Sequence, residues 1–77
     1  MRIVDEESDN TLNSIILMLT PAEKHELVGK LQAIDPKAGD HIHINDDNFS
    51  REITILIYTP DNVKFFSQKV REVIEKE

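Results

Sequence analysis

The sequence predicts an α+β fold, a two-layer sandwich of order ββαββα in which a four-stranded, mainly antiparallel sheet carries two helices on one face. Three observations carry this expectation. Two apolar runs, Ile15 to Leu19 and Ile53 to Tyr58, each end in a Thr-Pro pair, which reads as strand, tight turn, helix. His41 to Ile44 alternates polar and apolar residues, the period of a half-buried strand. The two Thr-Pro units also superpose at a constant offset, pairing Leu17 with Leu56, Thr20 with Thr59, Leu27 with Phe66 and Leu31 with Val70, and Ile3 with Ile42 upstream. A single domain, residues 1–77, built from two similar halves, 1–38 and 39–77, follows from this pairing.

In chain order, a short strand about Ile3 leads into an acidic turn containing Asp5, Glu6, Glu7 and Asp9. The strand over 14–19 is apolar on both faces, with Ile15, Leu17 and Leu19 on one side and Ile16 and Met18 on the other. The first helix is expected from Pro21 to Ile34. Thr20 caps it, Pro21 fits its first position, Glu23 closes a capping box, and Leu27, Val28, Leu31 and Ile34 form its apolar stripe. It stops near Asp35 because Pro36 disfavours helical geometry in the residue before it, and Gly39 then permits a turn.

In the second half, Ile42 and Ile44 are expected to face the helices while His41 and His43 share the opposite face. Asn45 to Ser50 supplies turn residues, and the strand from about Glu52 to Tyr58 forms the other arm of a hairpin. The second helix is expected from Pro60 to Lys76, with Asp61 at the positive end of its dipole and Val63, Phe66, Val70, Val73 and Ile74 buried. Phe65 falls off that stripe. Two helices cover one face of such a sheet, so Leu56 and Tyr58 are expected on an open apolar face; a second copy, a partner protein or the acidic N-terminal segment folding back are the candidates to cover it, the first two being favoured.

Composition narrows the function classes. The chain holds 15 acidic and 9 basic residues, a net charge of −6, and no cysteine. Disulfide frameworks and thiolate chemistry are thereby excluded. Residues 1–47 contain 10 acids and 4 bases while residues 48–77 contain 5 of each, so the surplus lies wholly in the first part. Such a surface repels phosphate backbones and attracts a basic protein; nucleic-acid binding is not expected. No apolar run reaches the roughly 18 to 20 residues of a membrane helix, and Met1 to Val4 runs directly into acids without the pattern of a signal peptide. A cytoplasmic location is the resulting expectation.

His41 and His43 are the residues most suited to chemistry. On a strand, residues two apart point the same way, so their imidazoles could converge on zinc. A third ligand is lacking, because Asn45 is a poor zinc donor, Asp40 points to the other face, and Asp46 and Asp47 lie in the turn. No metal or other cofactor is therefore assigned, with His41 and His43 kept as the candidate pair. His25 reads as a solvated helix residue. No serine stands in a nucleophile elbow, two glycines cannot make a phosphate loop, and the acids near Asn45 and Asn48 lack the Gly and distal Glu of a calcium loop. A non-enzymatic protein is expected.

The stretch Gly39-Asp40-His41-Ile42-His43-Ile44, followed by a polar spacer and Glu52-Ile53-Thr54-Ile55-Leu56-Ile57, resembles the Immunity protein 32 family over residues 12–58. Members of that family are small bacterial proteins encoded beside polymorphic toxins. The resemblance singles out Asp40, His41 and His43 and implies an immunity protein that neutralises a basic toxin. The expected function is thus a small acidic protein-binding module, with Asp40, His41, His43, Asp46, Asp47, Leu56 and Tyr58 as its contact residues. The alternatives are a metal-binding protein using His41 and His43, and a structural homodimer.

Overall fold

Thr20 begins helix α1 (Pro21–Ala33) with a reciprocal cap. Its hydroxyl accepts from the Glu23 amide at 3.2 Å, and the Glu23 carboxylate accepts from the Thr20 amide at 2.8 Å. The helix ends where the extended backbone of Asp35 (φ −106°, ψ 105°) accommodates Pro36. A single 3₁₀ turn, Pro36–Ala38, closes on Gly39 at φ 69°. Only glycine suits this position, since a Cβ there would also lie 2.9 Å from the Cβ of Phe65. The computed structural model describes residues 1–76.

Strands β1 (His41–Asn45) and β2 (Glu52–Leu56) form an antiparallel hairpin in the register His41 to Leu56, Ile42 to Ile55, His43 to Thr54, Ile44 to Ile53 and Asn45 to Glu52. Residues directly opposite share a face, so four isoleucines make the inner face of the ribbon. Among the described residues Ile44, at 4% exposure, is the one fully buried apolar side chain. Helix α1 lies against β1, with Lys30 Nζ donating to the His43 carbonyl at 2.6 Å. The turn is closed by Asp46, whose carboxylate accepts from Ser50 Oγ at 2.9 Å and the Arg51 amide at 3.0 Å. The Arg51 N–H foremost holds the Asp46 carboxyl below the ordinary carboxylate value.

The fold is α+β, as expected, and among the described residues its sheet is antiparallel with two strands; the expected four strands and the order ββαββα are not seen there. In the first half, residues 3–12 form a tight loop with one antiparallel bridge, Val4 to Thr11. Asp5 holds the acidic turn by accepting from Ser8 Oγ at 2.8 Å and the Glu7 amide at 3.0 Å, contacts that lower its pKa in that order. The run over 14–19 then passes to Thr20 without joining a ladder. β1 and β2 are paired with each other, and α1 occupies the space beside β1. With so small a sheet, the stripe of α1 is only partly covered: Leu27 and Ile34 are half-buried, whereas Val28 and Leu31 stay exposed.

The expected helix over 60–76 is also divided. Thr59 and Asn62 reproduce the reciprocal cap, with Thr59 N donating to Asn62 Oδ1 at 2.7 Å and Asn62 N donating to Thr59 Oγ1 at 3.2 Å. Asn62 Nδ2 also donates to the carbonyls of Pro36 at 2.6 Å and Ile57 at 2.8 Å, which buries the side chain to 2% exposure. One 3₁₀ turn, Val63–Phe65, follows before Phe66 becomes extended at ψ 165°. Ser67 restarts the helix, its hydroxyl accepting from the Val70 amide at 3.3 Å, and α2 runs Gln68–Lys76. Val63, Phe66, Val70, Val73 and Ile74 are half-buried rather than buried, and Phe65 is 60% exposed. Arg2 ties the N-terminus to this region through the Ile74 carbonyl, and Lys69 pairs with Asp9.

The accessible surface is 6297 Å² for a mass of 8.9 kDa. Compact monomers of that mass expose about 4,800 Å². The radius of gyration, 13.3 Å, likewise exceeds the roughly 11.5 Å of a compact chain of this length.

Candidate functional site

The outer face of the hairpin carries His41, His43 and Asn45 from β1 opposite Leu56, Thr54 and Glu52 from β2. The alternation of β1 places the two histidines side by side, with ring centroids 4.8 Å apart in an edge-on arrangement. His43 Nδ1 lies 2.7 Å from Glu52 Oε1 and 2.8 Å from Thr54 Oγ1, and that hydroxyl is 3.3 Å from the same carboxylate oxygen. This trio superficially resembles a nucleophile relay, yet both oxygen groups converge on one ring nitrogen. A relay needs the carboxylate on one nitrogen and the hydroxyl on the other, so the geometry orders the imidazole without activating Thr54. Among the described residues, no three His, Asp or Glu side chains are grouped to hold a metal ion.

Asp40, His41 and His43 come together with Lys30 along a shallow groove of about 350 Å³ between α1 and β1. Asp40 is already committed, since its Oδ2 accepts from the Asp35 amide at 3.1 Å and closes the loop before β1. Asp46 lies at the other end of β1 and is occupied in holding the turn, whereas Asp47 is exposed at its tip. Leu56 and Tyr58 are half-buried rather than open: Leu56 lies opposite His41, and the Arg2 guanidinium stands 5.8 Å from the centre of the Tyr58 ring. The outer face is consequently a mostly polar surface. The large apolar face expected on the sheet is absent there, because β2 presents Glu52 and Thr54 beside Leu56.

The longest run of uncovered apolar side chains lies instead on the segment before α1, with Val28, Leu31, Phe49 and Phe65 exposed singly elsewhere. Ile15, Ile16, Leu17 and Met18 are exposed to 53%, 87%, 47% and 87% respectively. Among the described residues, no hydrogen bond engages a backbone amide or carbonyl of residues 13–19. Leu19, half-buried, anchors the segment's end near Ile44 and Ile53, and Leu17 and Met18 line the same cleft. The sequence signal for this element is the stretch from Asn10 to Ala22, which contains no charged residue in a chain that is 31% charged. Periodicity identifies it as strand-forming but does not reveal that it lacks a neighbour.

Backbone polar groups unpaired along a run of large apolar side chains make the most distinctive surface on this chain. The chemistry available there is main-chain hydrogen bonding plus side-chain burial, the two components of strand addition. No helix of the described residues is long and apolar enough to cross a membrane. No family model, curated protein or solved structure matches the chain.

Proposed function

We propose that this chain is a non-catalytic protein-binding module that adds residues 13–19 as a strand to a partner protein of opposite charge. The observation that carries the reading is the hydrogen-bond-free segment with Ile16 and Met18 each 87% exposed. Burying such side chains yields roughly 25 cal/mol per Å² of apolar area, and pairing the backbone supplies register. In such a complex the run over 14–19 becomes the strand that its pattern predicts, within a sheet completed by the partner. The net charge of −6 sets the sign of that partner and speeds encounter with it at low salt. Neutralisation of a basic toxin by an immunity protein, which the resemblance over residues 12–58 implies, is one form of this role. The polar hairpin face, with Asp40, His41, His43 and Asp47 exposed, flanks the interaction rather than forming its centre.

The test is site-specific photo-crosslinking in cells of the source organism, with a photoreactive amino acid at Ile16 and, as the control, at Glu75. A discrete adduct with one other protein from position 16 alone supports the reading. Equal adducts from both positions, or none from position 16, would overturn it.

A further inference from the structure

The geometry points to His41 and His43 as a two-nitrogen chelate for a divalent transition-metal ion, copper(II) foremost, with Glu52 as the carboxylate that orients it. This site is separate from the apolar run over 13–19 and does not rest on the strand-addition reading. The two rings lie on the outer face of β1 with centroids 4.8 Å apart. Two imidazoles on neighbouring positions of one ion, each with a metal–nitrogen bond of ~2.0 Å, have ring centres roughly 4.5 Å apart at a right angle and about 5.1 Å apart at the tetrahedral angle. The observed spacing falls between these values. An ion is therefore received by side-chain rotation, with no movement of the strand.

Glu52 decides which nitrogen is available. Its carboxylate, an acceptor only, stands 2.7 Å from His43 Nδ1, so that nitrogen carries the proton of the neutral ring and Nε2 keeps its lone pair. Thr54 Oγ1 lies 2.8 Å from the same nitrogen and 3.3 Å from the Glu52 oxygen; it donates to Glu52 and shares the Nδ1–H as an acceptor. A carboxylate placed behind a histidine in this way fixes the ring and strengthens it as a ligand. His41 is exposed and makes no hydrogen bond through its ring among the described residues, so it can turn onto the same ion. Lys30 shares this edge of β1, but its ammonium is engaged by Glu26 at 3.0 Å and the His43 carbonyl at 2.6 Å, which offsets its repulsion of a cation.

The number of protein donors selects the ion. Zinc in proteins takes three or four protein ligands, and no third His, Asp or Glu is grouped with this pair among the described residues. Calcium and magnesium take oxygen donors. Copper(II) heads the affinity order of the divalent first-row ions, accepts imidazole, and is satisfied by a tetragonal arrangement that water completes. Both rings are exposed, so the remaining positions stay open to water or to a donor from another molecule.

Titration of the full chain, carrying no affinity tag, with copper(II) chloride in a non-coordinating buffer at neutral pH tests this. Electron paramagnetic resonance is expected to show one bound equivalent with two nitrogen donors, and nickel(II) to bind more weakly. His41→Asn and His43→Asn should each lower the affinity about tenfold or more, and Glu52→Ala by about tenfold, the loss typical of an orienting partner. His25→Asn, on α1, serves as the control that retains affinity. In the unaltered chain the paramagnetic ion should broaden the amides of His41, Ile42, His43 and Thr54 first, a readout that needs no variant. Broadening centred elsewhere, a single nitrogen donor, or undiminished affinity when both histidines are replaced overturns the chelate. Unchanged affinity in Glu52→Ala overturns the orienting role.

Discussion

Asn62 and Ile44 are the two fully buried residues among those described. The Asn62 side chain caps the turn after Thr59 and reaches the Pro36 and Ile57 carbonyls, bonds that join the loop after α1 to the end of β2. Asn62→Ala leaves two carbonyls and one amide without partners, and it should lower the unfolding free energy in urea by about 2 to 4 kcal/mol. Asn62→Asp keeps the shape but places a carboxylate against those two carbonyls, so it should destabilise more than alanine at neutral pH. The reverse order would show that volume, not donor chemistry, matters at this site. The sequence announces the position only as the partner of Glu23 in the offset between halves; that it is buried depends on Pro36 and Ile57 arriving from elsewhere, which no local pattern encodes. His41 and His43 are the opposite case, because their shared face follows from the period of a strand alone.

At the level of elements, legibility tracks how local the determining forces are. α1 begins at Pro21 and ends within one residue of the expected boundary, since the Thr20 cap and Pro36 act within a few residues. β1 and β2 are readable for the same reason, the turn between them being rich in Asp, Asn and Ser. The runs 14–19 and 53–58 look alike in sequence, yet the second has β1 beside it and the first has nothing; a strand is defined by its neighbour, and that is not local information. Ser67 similarly competes as a helix start within what periodicity reads as one helix, and with Phe66 extended before it the helix restarts.

Two turns depend on carboxylates with lowered pKa values, Asp5 through Ser8 and Asp46 through the Arg51 amide. A carboxyl that ionises more readily folded than unfolded contributes stability above its unfolded value and loses it as pH falls through the folded one. Both turns should therefore keep their protection at neutral pH and loosen as the pH drops below the ordinary value of 3.8, seen as faster exchange of the Arg51 amide. Lys69 behaves in mirror image. Its hydrogen bond with Asp9 raises its pKa, so the tie between α2 and the N-terminal turn is complete below 10.5 and is lost as pH rises through the raised value. Protection that stayed constant across these ranges would contradict the assignments.

For the whole molecule, stability and the proposed binding surface are carried by different residues. The frame is the hairpin, α1 and the Asn62 bracket; the longest run of exposed apolar side chains, residues 15–18, lies outside it. Ile16→Lys and Met18→Lys should accordingly leave the unfolding midpoint nearly unchanged, within about 0.5 kcal/mol, while removing the crosslink to a partner. A large loss of stability in either variant would mean that these side chains belong to the fold. The charge pattern agrees with this division, because the acids of residues 1–47 flank a run from Asn10 to Ala22 that has none.

That same run has a consequence for turnover. Proteases engage their substrates as unpaired, exposed backbone, and residues 13–19 already present it without any prior opening of the structure. Chymotrypsin should nick the free chain first after Leu17 or Met18, at a rate insensitive to stabilising conditions such as added sulfate, because no unfolding equilibrium precedes cleavage. A strand laid along the segment would shield that bond. The lifetime of the protein would then be set by occupancy, with unbound copies cleared and the surviving pool matched to the amount of partner.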